Sequence, residues 1–359
     1  MWAMVVKELR ELQRDRRTVA MMVLLPVLLL VIFGYAASFN VHAIPTAVFG
    51  PRAPAAAAAL HAPFHVVEVS AGAGEAAARS DLRDGTAVAA VVTGPHGVRV
   101  LLDGTQLFSA QAAQAALSRA AFSRVPLLRG GVQVSILYDP GLATSWVMVP
   151  GLAGLILVFV GTLVTSLGVV RERQAGTLEQ LAVMPLRAWD VIAGKILPYL
   201  LVAALDLVVI IAIGMGVFGV PFVGNVGVFV LGSALFLLVT LGMGILVSTV
   251  SQNQGQAIQL AFMLTLPQVL LSGLIFPLSS MAAGVRWISY VLPLTYFVQL
   301  SRGVMLKGAP ISTLWLPLAL LALLGAAVLG LAVARFRRDL APGAKRQPAL
   351  PTPGEAAAP

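Results

Sequence analysis

Six apolar stretches, each about as long as a bilayer-spanning helix, constrain this 359-residue chain more than any other feature. They cover residues 18–39, 145–169, 191–217, 223–249, 257–277 and 313–334. A helix needs about 20 apolar residues to cross the hydrocarbon core of a membrane. Only 11% of the residues are charged, whereas soluble domains carry about a quarter. The sequence therefore predicts a polytopic α-helical membrane protein with six transmembrane helices.

The N-terminal region differs from a secretory signal peptide in two ways. Its apolar run, residues 18–39, is longer than the roughly 7–15 apolar residues of a signal. The acidic residues Glu8 and Glu11 lie among the basic residues before that run. We therefore predict an uncleaved first span. An amphipathic interfacial helix is expected over residues 1–17, with Trp2 and Leu9 on its apolar face.

Residues 40–141 have a different composition and predict an inserted α/β domain. They contain all four histidines and few long apolar runs. Helical stretches are expected around residues 53–61, 74–83 and 105–128, and they alternate with short strand-like runs. The pairs Asp84-Gly85 and Asp103-Gly104 indicate turns. The predicted strands are Ile44–Phe49, His65–Val69, Ala87–Thr93, Val98–Leu102 and Val132–Tyr138.

The basic residues predict the orientation of the chain. Most of them flank apolar runs, and the positive-inside rule places such flanks in the cytoplasm. Both termini are therefore expected to be cytoplasmic, and the inserted domain extracytoplasmic. The cytoplasmic tail, residues 335–359, becomes rich in Pro and Ala and is expected to be disordered. Because membrane flanks explain the net charge of +9, nucleic acid is not an expected partner.

The segment between the last two spans, residues 278–312, is too polar and broken for a simple span and too apolar for a free loop. Pro277, Pro293 and Pro310 interrupt it. Irregular backbone at membrane depth must be buried in protein. We therefore predict an extracytoplasmic re-entrant segment.

A charged, amphipathic insert, residues 170–188, separates the second and third spans on the predicted cytoplasmic side. A short helix is expected to start at Gly176, with Thr177 as a possible cap, and to end at Pro185. Leu178 and Leu181 give this helix an apolar face that fits a partner's groove. From these residues alone, a solvated connector between two spans is an equally good interpretation.

This insert resembles the cytoplasmic signature of type-2 ATP-binding-cassette (ABC) exporter permeases, here written ERQAGTLEQLAVMPL. Gln174 stands where that signature usually has a carboxylate. The stretches LLSGLIFPLSSM and YVLPLTYFVQLSRGVML are similar to the family's segments after the fifth span. VLLDGT and ILYDPGLATSWVMVPGL are similar to the edges of its outer domain. The resemblance is strongest for the subgroup with a large extracytoplasmic domain after the first helix.

The resemblance implies a bacterial inner-membrane transport subunit that moves a hydrophobic or amphipathic substrate (drug, lipid or glycan) outward. It implies pairing with a second copy or a paralogue, and with ABC subunits that bind ATP and Mg²⁺. A periplasmic adaptor is a further partner that it allows. The implied exit-side segment contains Ser272, Gly273, Phe276 and Pro277. The implied coupling residues are Glu172, Gly176, Thr177, Leu178, Glu179, Gln180, Leu181 and Pro185.

The chain lacks a P-loop, which requires G-x-x-x-x-G-K-[ST] to hold phosphate groups on backbone N–H groups. Gly194-Lys195 is its one Gly-Lys pair. Trp189 replaces the first glycine, and Ile196 follows the lysine. We therefore expect no bound cofactor, no catalytic site and no ATPase activity in this chain.

Asp206 is the acidic residue within a predicted span, the third. A carboxylate at membrane depth is costly and suggests a function or an internal partner. Binding of substrate, proton relay and a structural hydrogen bond are all open, and we favour the hydrogen bond. His61 and His65 have the i,i+4 spacing of some zinc sites, but Pro63 between them opposes a regular helix, and no metal is expected.

Two alternatives to the exporter remain. A secondary transporter driven by an ion gradient often shows internal repeats and several intramembrane charges, and this sequence has one such acid and no evident repeat. A membrane sensor would use the α/β domain to bind a ligand. The predicted cytoplasmic parts contain no recognisable signalling domain, which counts against that interpretation.

Overall fold

The computed structural model describes residues 43–95, 97–122, 132–176 and 188–339, together with Val27. Four of the predicted features lie outside the described residues. They are the interfacial helix, the first span, the segment from Thr177 to Arg187 that contains the predicted coupling helix, and the tail beyond residue 339.

The inserted region is an α/β domain with a five-stranded sheet. Its helices are α1 (Ala53–Ala59), α2 (Glu75–Asp84) and α3 (Leu107–Phe122). Its strands are β1 (Ile44–Phe49), β2 (Phe64–Ser70), β3 (Ala89–Gly94), β4 (Gly97–Asp103) and β5 (Val132–Leu137). Each of the five strand-like runs in the sequence is a strand in the structure.

The sheet has the order β2-β1-β3-β4-β5 and is parallel except for the β3-β4 hairpin. Because side chains alternate across a strand, each strand supplies both faces. Val48, Val91 and Val100 lie in one apolar core with α1 and α3. Phe49 and Leu101 lie in the other core, against α2. The sheet is therefore covered by helices on both faces.

The two turn predictions are confirmed. Gly85 caps α2 with a φ of 78°, a left-handed conformation that glycine adopts without a steric penalty. The carboxylate oxygen Oδ1 of Asp103 accepts hydrogen bonds from the backbone N–H and the hydroxyl of Thr105, at 3.0 and 2.7 Å. This interaction turns the chain directly after β4.

The rest of the described chain is helical. Its long helices are α4 (Thr144–Gln174), α5 (Ala188–Gly216), α6 (Val226–Val250), α7 (Gln254–Leu271) and α10 (Ile311–Asp339). Two shorter helices, α8 (Ala283–Ser289) and α9 (Pro293–Met305), lie between α7 and α10. Among the described residues, four helices are long and apolar enough to cross a membrane: α4, α5, α6 and α10. They correspond to the second, third, fourth and sixth predicted spans.

Helix α6 is the centre of the bundle. Of its most apolar stretch, 61% is buried inside the protein, compared with 17% for α5. Small residues permit close helix contacts here, since a Cβ on Gly244 would lie 2.9 Å from the Thr162 carbonyl oxygen of α4. The other side of α6 meets α10, where a Cβ on Gly242 would lie 2.9 Å from Val328. Glycine lets these helices approach closely.

Two predicted helix boundaries are wrong. The second span continues to Gln174 instead of ending at residue 169, so part of the predicted insert belongs to α4. The fifth predicted span ends at Leu271 instead of residue 277, although the apolar sequence continues. Gly273, with a φ of 82°, turns the chain away from the helix axis. With 18 residues and a glutamine-rich start, α7 is not among the span-capable helices.

The predicted re-entrant segment, residues 278–312, folds as a 3-10 turn (Leu278–Ser280) followed by α8 and α9. Nearly every residue of α9 is buried, because it packs against α4, α6 and α10. Helix α9 is thus enclosed by protein, whereas Tyr290 and Val291 before it are exposed.

The close approach of α4 and α6 predicts the effect of Gly244→Ala. The added methyl group would lie 2.8 Å from the Thr165 Cβ, so the two helices must separate slightly. We expect a loss of about 1–3 kcal/mol in the free energy of unfolding, measured as a lower melting temperature of the detergent-solubilised chain. The control is Gly330→Ala in α10, where the methyl group meets no atom within 4 Å. Equal melting temperatures for both variants would contradict this packing.

Candidate functional site

The end of α4 furthest from the sheet, which we call the coupling end, carries the first residues of the family signature. Glu172 forms an ion pair with Lys195 of α5. The side chain of Lys195 is 11% exposed and that of Glu172 is 41% exposed. This pair joins the two helices that flank the undescribed segment, residues 177–187, and so sets the distance between the ends of that segment.

Two arginines extend the coupling end toward α6 and α7. Arg173 donates hydrogen bonds to the carbonyl oxygens of Ser248 and Ser251, at 3.0 and 2.9 Å, where α6 ends and its carbonyl groups lack helical partners. The Nε atom of Arg171 lies 3.4 Å from the amide oxygen of Gln254. The last turn of α4 is thus tied to α5, α6 and α7 at once.

Gln174 occupies the position at which the resembled signature usually has a carboxylate. Its amide oxygen accepts a hydrogen bond from the amide nitrogen of Gln254, at 3.0 Å. Asn253 beside it caps α7 by accepting from the backbone N–H of Gln256, at 2.9 Å. Asn253 and Gln254, at the start of α7, are therefore part of the coupling end.

The sequence predicted that a helix begins at Gly176, and the structure differs. The backbone N–H of Gly176 donates to the carbonyl oxygen of Arg173, and the φ of this glycine is 73°, so it ends α4 in a left-handed conformation. The remaining predicted coupling residues lie outside the described part of the chain: Thr177, Leu178, Glu179, Gln180, Leu181 and Pro185.

Unequal burial within the Glu172–Lys195 pair leads to a prediction. Glu172→Gln removes the carboxylate that pairs with a nearly buried ammonium group, which costs about 1–3 kcal/mol. Lys195→Met leaves a carboxylate that water already reaches, at a cost of at most about 1 kcal/mol. In melting measurements on the full chain, Glu172→Gln should therefore be the less stable variant. If Lys195→Met were instead the less stable variant, water would be solvating the unpaired ammonium group of Lys195 in Glu172→Gln.

At the other end of the bundle, which we call the sheet end, a buried arginine holds three segments together. Arg302 of α9 donates to the carbonyl oxygens of Val147, Gly273 and Leu274, at 3.1, 3.3 and 3.1 Å. Its side chain lies among apolar helices and is 8% exposed. Arg302 was not among the residues for which the sequence predicted a role. The missed signal is its position as the one charged residue in the apolar run of α9.

The predicted exit-side residues meet at this place. Ser272 caps α7, and its hydroxyl oxygen accepts from the backbone N–H of Leu274, at 3.3 Å. Gly273 supplies one of the carbonyl groups that bind Arg302. Phe276 is buried with Leu270, Leu271 and Met281. Pro277 begins the 3-10 turn.

A second buried charge joins the α/β domain to the bundle. Lys307, just after α9, lies 2.6 Å from the Oδ2 atom of Asp103 and donates to the carbonyl oxygen of Leu82 at 2.8 Å. The side chains of Lys307 and Asp103 are 9% and 1% exposed. Burial, with the nearby carboxylate of Asp103, raises the pKa of Tyr138 to about 12. The neutral Tyr138 ring then faces the Lys307 ammonium group, 5.6 Å from its centre.

The other polar candidates are not part of these two ends. Asp206 is half-buried in α5, and the described residues offer its carboxylate no hydrogen-bond or ion-pair partner. The favoured structural hydrogen bond therefore stays a prediction. His61 contacts the carbonyl oxygen of Ala59, at 2.9 Å, and the described residues include no cluster of three metal-ligating side chains.

The buried Lys307–Asp103 pair predicts strong effects of single substitutions. Lys307→Met leaves the Asp103 carboxylate buried without a countercharge, which costs about 3–5 kcal/mol. We expect a clearly lower melting temperature and partial recovery when Asp103→Asn is added to the same chain. The control is Arg99→Met, because Arg99 pairs with Glu75 at the surface, where such pairs contribute at most about 1 kcal/mol. If both methionine substitutions lowered the melting temperature equally, the buried Lys307–Asp103 pair would not stabilise the contact between domain and bundle.

Span-capable helices, an α/β domain at one end and the polar coupling end at the other define a multi-helix membrane protein. Residues 16–334 match the family described as "ABC-2 family transporter protein". The chain belongs to this family of type-2 ABC permeases, which confirms the resemblance found in its sequence.

Similar proteins carry consistent names. "Probable multidrug ABC transporter permease YbhR" of Escherichia coli (strain K12) is 34% identical over 203 residues, which cover 56% of this chain and 55% of that protein. YbhS of the same organism, with the same description, is 34% identical over 178 residues, covering 49% and 47%. "ABC transporter G family member 20" of Dictyostelium discoideum is 29% identical over 161 residues, covering 45% and 22%. The chain spans about half the length of the bacterial relatives it matches.

Proposed function

We propose that this chain is the permease subunit of an ABC exporter. Its substrate is moved outward by ATP hydrolysis on a separate subunit. Membership of the chain in the ABC-2 family carries the proposal. The coupling end adds physical support. Arg171, Glu172 and Arg173, in the last turn of α4, bind three other helices. A displacement of the neighbouring segment, residues 177–187, would therefore be transmitted to the bundle.

Helix α4 provides the route between the two ends. It is unbroken over 31 residues, about 45 Å at 1.5 Å per residue. Glu172 lies in its last turns, whereas the carbonyl oxygen of Val147 in its first turn accepts from Arg302. A tilt imposed at the coupling end would therefore move Arg302 and, with it, the exit-side turn. In this proposal ATP and Mg²⁺ bind to the partner subunit, and this chain has no enzymatic role.

The assembly that we propose contains two permease chains and two ATP-binding subunits, in a bacterial inner membrane. The coupling end and both termini face the cytoplasm, and the α/β domain lies outside, where an adaptor would have access to it. The proposed cargo is hydrophobic or amphipathic. The "multidrug" description of the bacterial relatives and the few charges on the spans support this class of cargo over hydrophilic ions.

A secondary transporter is the alternative, and the carboxylate of Asp206 is the observation that favours it. Under our proposal that carboxylate makes a structural hydrogen bond, and no ion passes through it. Dye uptake into inside-out vesicles, which corresponds to export from the cell, should then require ATP, be sensitive to vanadate and be insensitive to a protonophore, and Asp206→Asn should retain it. Uptake that the protonophore abolishes, or that Asp206→Asn loses, would instead support ion coupling.

Substitutions in the proposed coupling helix give the main test. Leu181→Asp places a charge on the face expected to enter the ATP-binding subunit, so we expect at least about tenfold less of that subunit to co-purify with the full chain. Glu179→Lys should lower the ATPase activity of the assembled complex. The matched control, Val134→Asp, puts the same charge on an exposed position of β5 and should change neither quantity. If Leu181→Asp retains the subunit, the coupling assignment is wrong.

A further inference from the structure

A cavity of about 400 Å³ lies between the α/β domain and the bundle at the sheet end. We call it the domain groove. The domain wall includes Arg83 and Asp84, and the bundle wall includes Gln299, Arg302 and Thr313. The Thr313 hydroxyl donates to the Oδ1 atom of Asp84, at 2.9 Å, so a direct bond connects the two walls. The domain groove is therefore a built part of the fold.

The electrostatics of the domain groove favour an anion. Arg83, Arg302 and Lys307 line it, and Asp84 is the acidic residue of its lining. Asp84 lies 3.5 Å from Arg83, and Lys307 has its own partner in Asp103. Arg302 hydrogen-bonds only to backbone carbonyl groups, and the carboxylate that acts on its charge, that of Asp103, is already paired with Lys307. A full positive charge therefore stays unbalanced beside the cavity.

The opposite part of the groove lining is apolar and continues onto the outer surface of α10. Leu314, Leu316 and Pro317 lie along the first turns of this span-capable helix. Leu316 is 49% exposed in the chain, so an alkyl chain lying on this part of α10 would contact the groove lining. The lining thus contains both cationic and apolar residues.

Exposed aromatic residues show where the groove lies relative to a bilayer. Trp287 and Trp315 are each 62% exposed, and Tyr290 is 54% exposed. All three lie at the sheet end, on or beside α8 and at the start of α10. Exposed Trp and Tyr side chains concentrate at the level of the lipid headgroups. The groove, lined by the neighbouring residue Leu316, opens at that level.

We propose that the domain groove binds one anionic phospholipid from the leaflet beside the α/β domain. Its phosphate lies near Arg83, Arg302 and Lys307, and one acyl chain follows Leu316 and Pro317. A zwitterionic lipid fits the apolar part equally well, but its headgroup would bring an additional positive charge into a site that is already positively charged. The proposal rests on the membrane character of the family and does not require ATP-driven export.

The first test measures affinity. Native mass spectrometry of the full chain in an uncharged detergent counts single adducts during titration with dioleoylphosphatidylglycerol or dioleoylphosphatidylcholine. We expect at least about fivefold tighter binding of phosphatidylglycerol, the order expected from one basic residue near a lipid surface. Arg83→Gln should remove most of that preference. Arg99→Gln, which also removes a basic residue of the α/β domain but lies outside the groove lining, should keep it.

The second test locates the lipid and does not depend on charge substitutions. Because the chain contains no cysteine, a Gln299→Cys variant carries a single thiol in the groove. Phosphatidylglycerol should slow its alkylation by a maleimide several-fold more than phosphatidylcholine does. Val67→Cys, at an exposed position of β2 outside the groove lining, should react at one rate with either lipid.

Three results would overturn the proposal. They are equal binding of the two lipids, an undiminished preference in Arg83→Gln, and unprotected alkylation of Gln299→Cys.

A further experiment uses the transporter assembled with its ATP-binding subunit. If ATP turnover releases the bound lipid, the groove holds exported cargo instead of a resident lipid, whereas retention during turnover supports the proposal. Failure of ATP-driven export would leave the lipid measurements on the isolated chain unaffected.

Discussion

The fold depends on how backbone carbonyl groups are satisfied where α7 stops inside an apolar environment. An unpaired carbonyl group there costs free energy that water cannot recover. Arg302 solves this by donating to Gly273 and Leu274 after α7, and also to Val147 in the first turn of α4. One guanidinium group therefore satisfies the carbonyl groups of the turn after α7 and joins three segments. The exit-side turn and the domain groove both exist around it.

The two ends of α4 show the same principle with different partners. At the sheet end a single buried cation contacts carbonyl groups, whereas at the coupling end several partly exposed charges contact α5, α6 and α7. A buried cation surrounded by fixed dipoles makes a rigid joint. The coupling-end contacts are partly exposed and therefore more accessible to solvent than the contacts of Arg302. This asymmetry is consistent with the role proposed for α4.

Sequence reasoning predicted elements well wherever a local pattern carries the signal. The strand Ile44–Phe49 and the turn at Gly85 follow from alternation and from glycine chemistry, and both lie where expected. Composition likewise identified the spans that became α4, α5, α6 and α10. The prediction failed at the end of α7, because hydropathy continues to Pro277 while the helix ends at Leu271, just before the two carbonyl groups that Arg302 binds. The roles of Arg302 and Lys307 were missed for the same reason, since their partners are far away in sequence.

By itself, the sequence determined that this chain is a membrane protein with an inserted α/β domain, and its signature motif identified the family. Those properties depend on side-chain hydrophobicity and on neighbours a few positions apart, which the linear order contains. Only the tertiary structure decided that Glu172 pairs with Lys195, that Asp103 pairs with Lys307, and that a cavity with unbalanced positive charge separates the domain from the bundle. A buried charge takes whichever partner the packing of distant helices brings within hydrogen-bonding distance, and no local pattern specifies that partner.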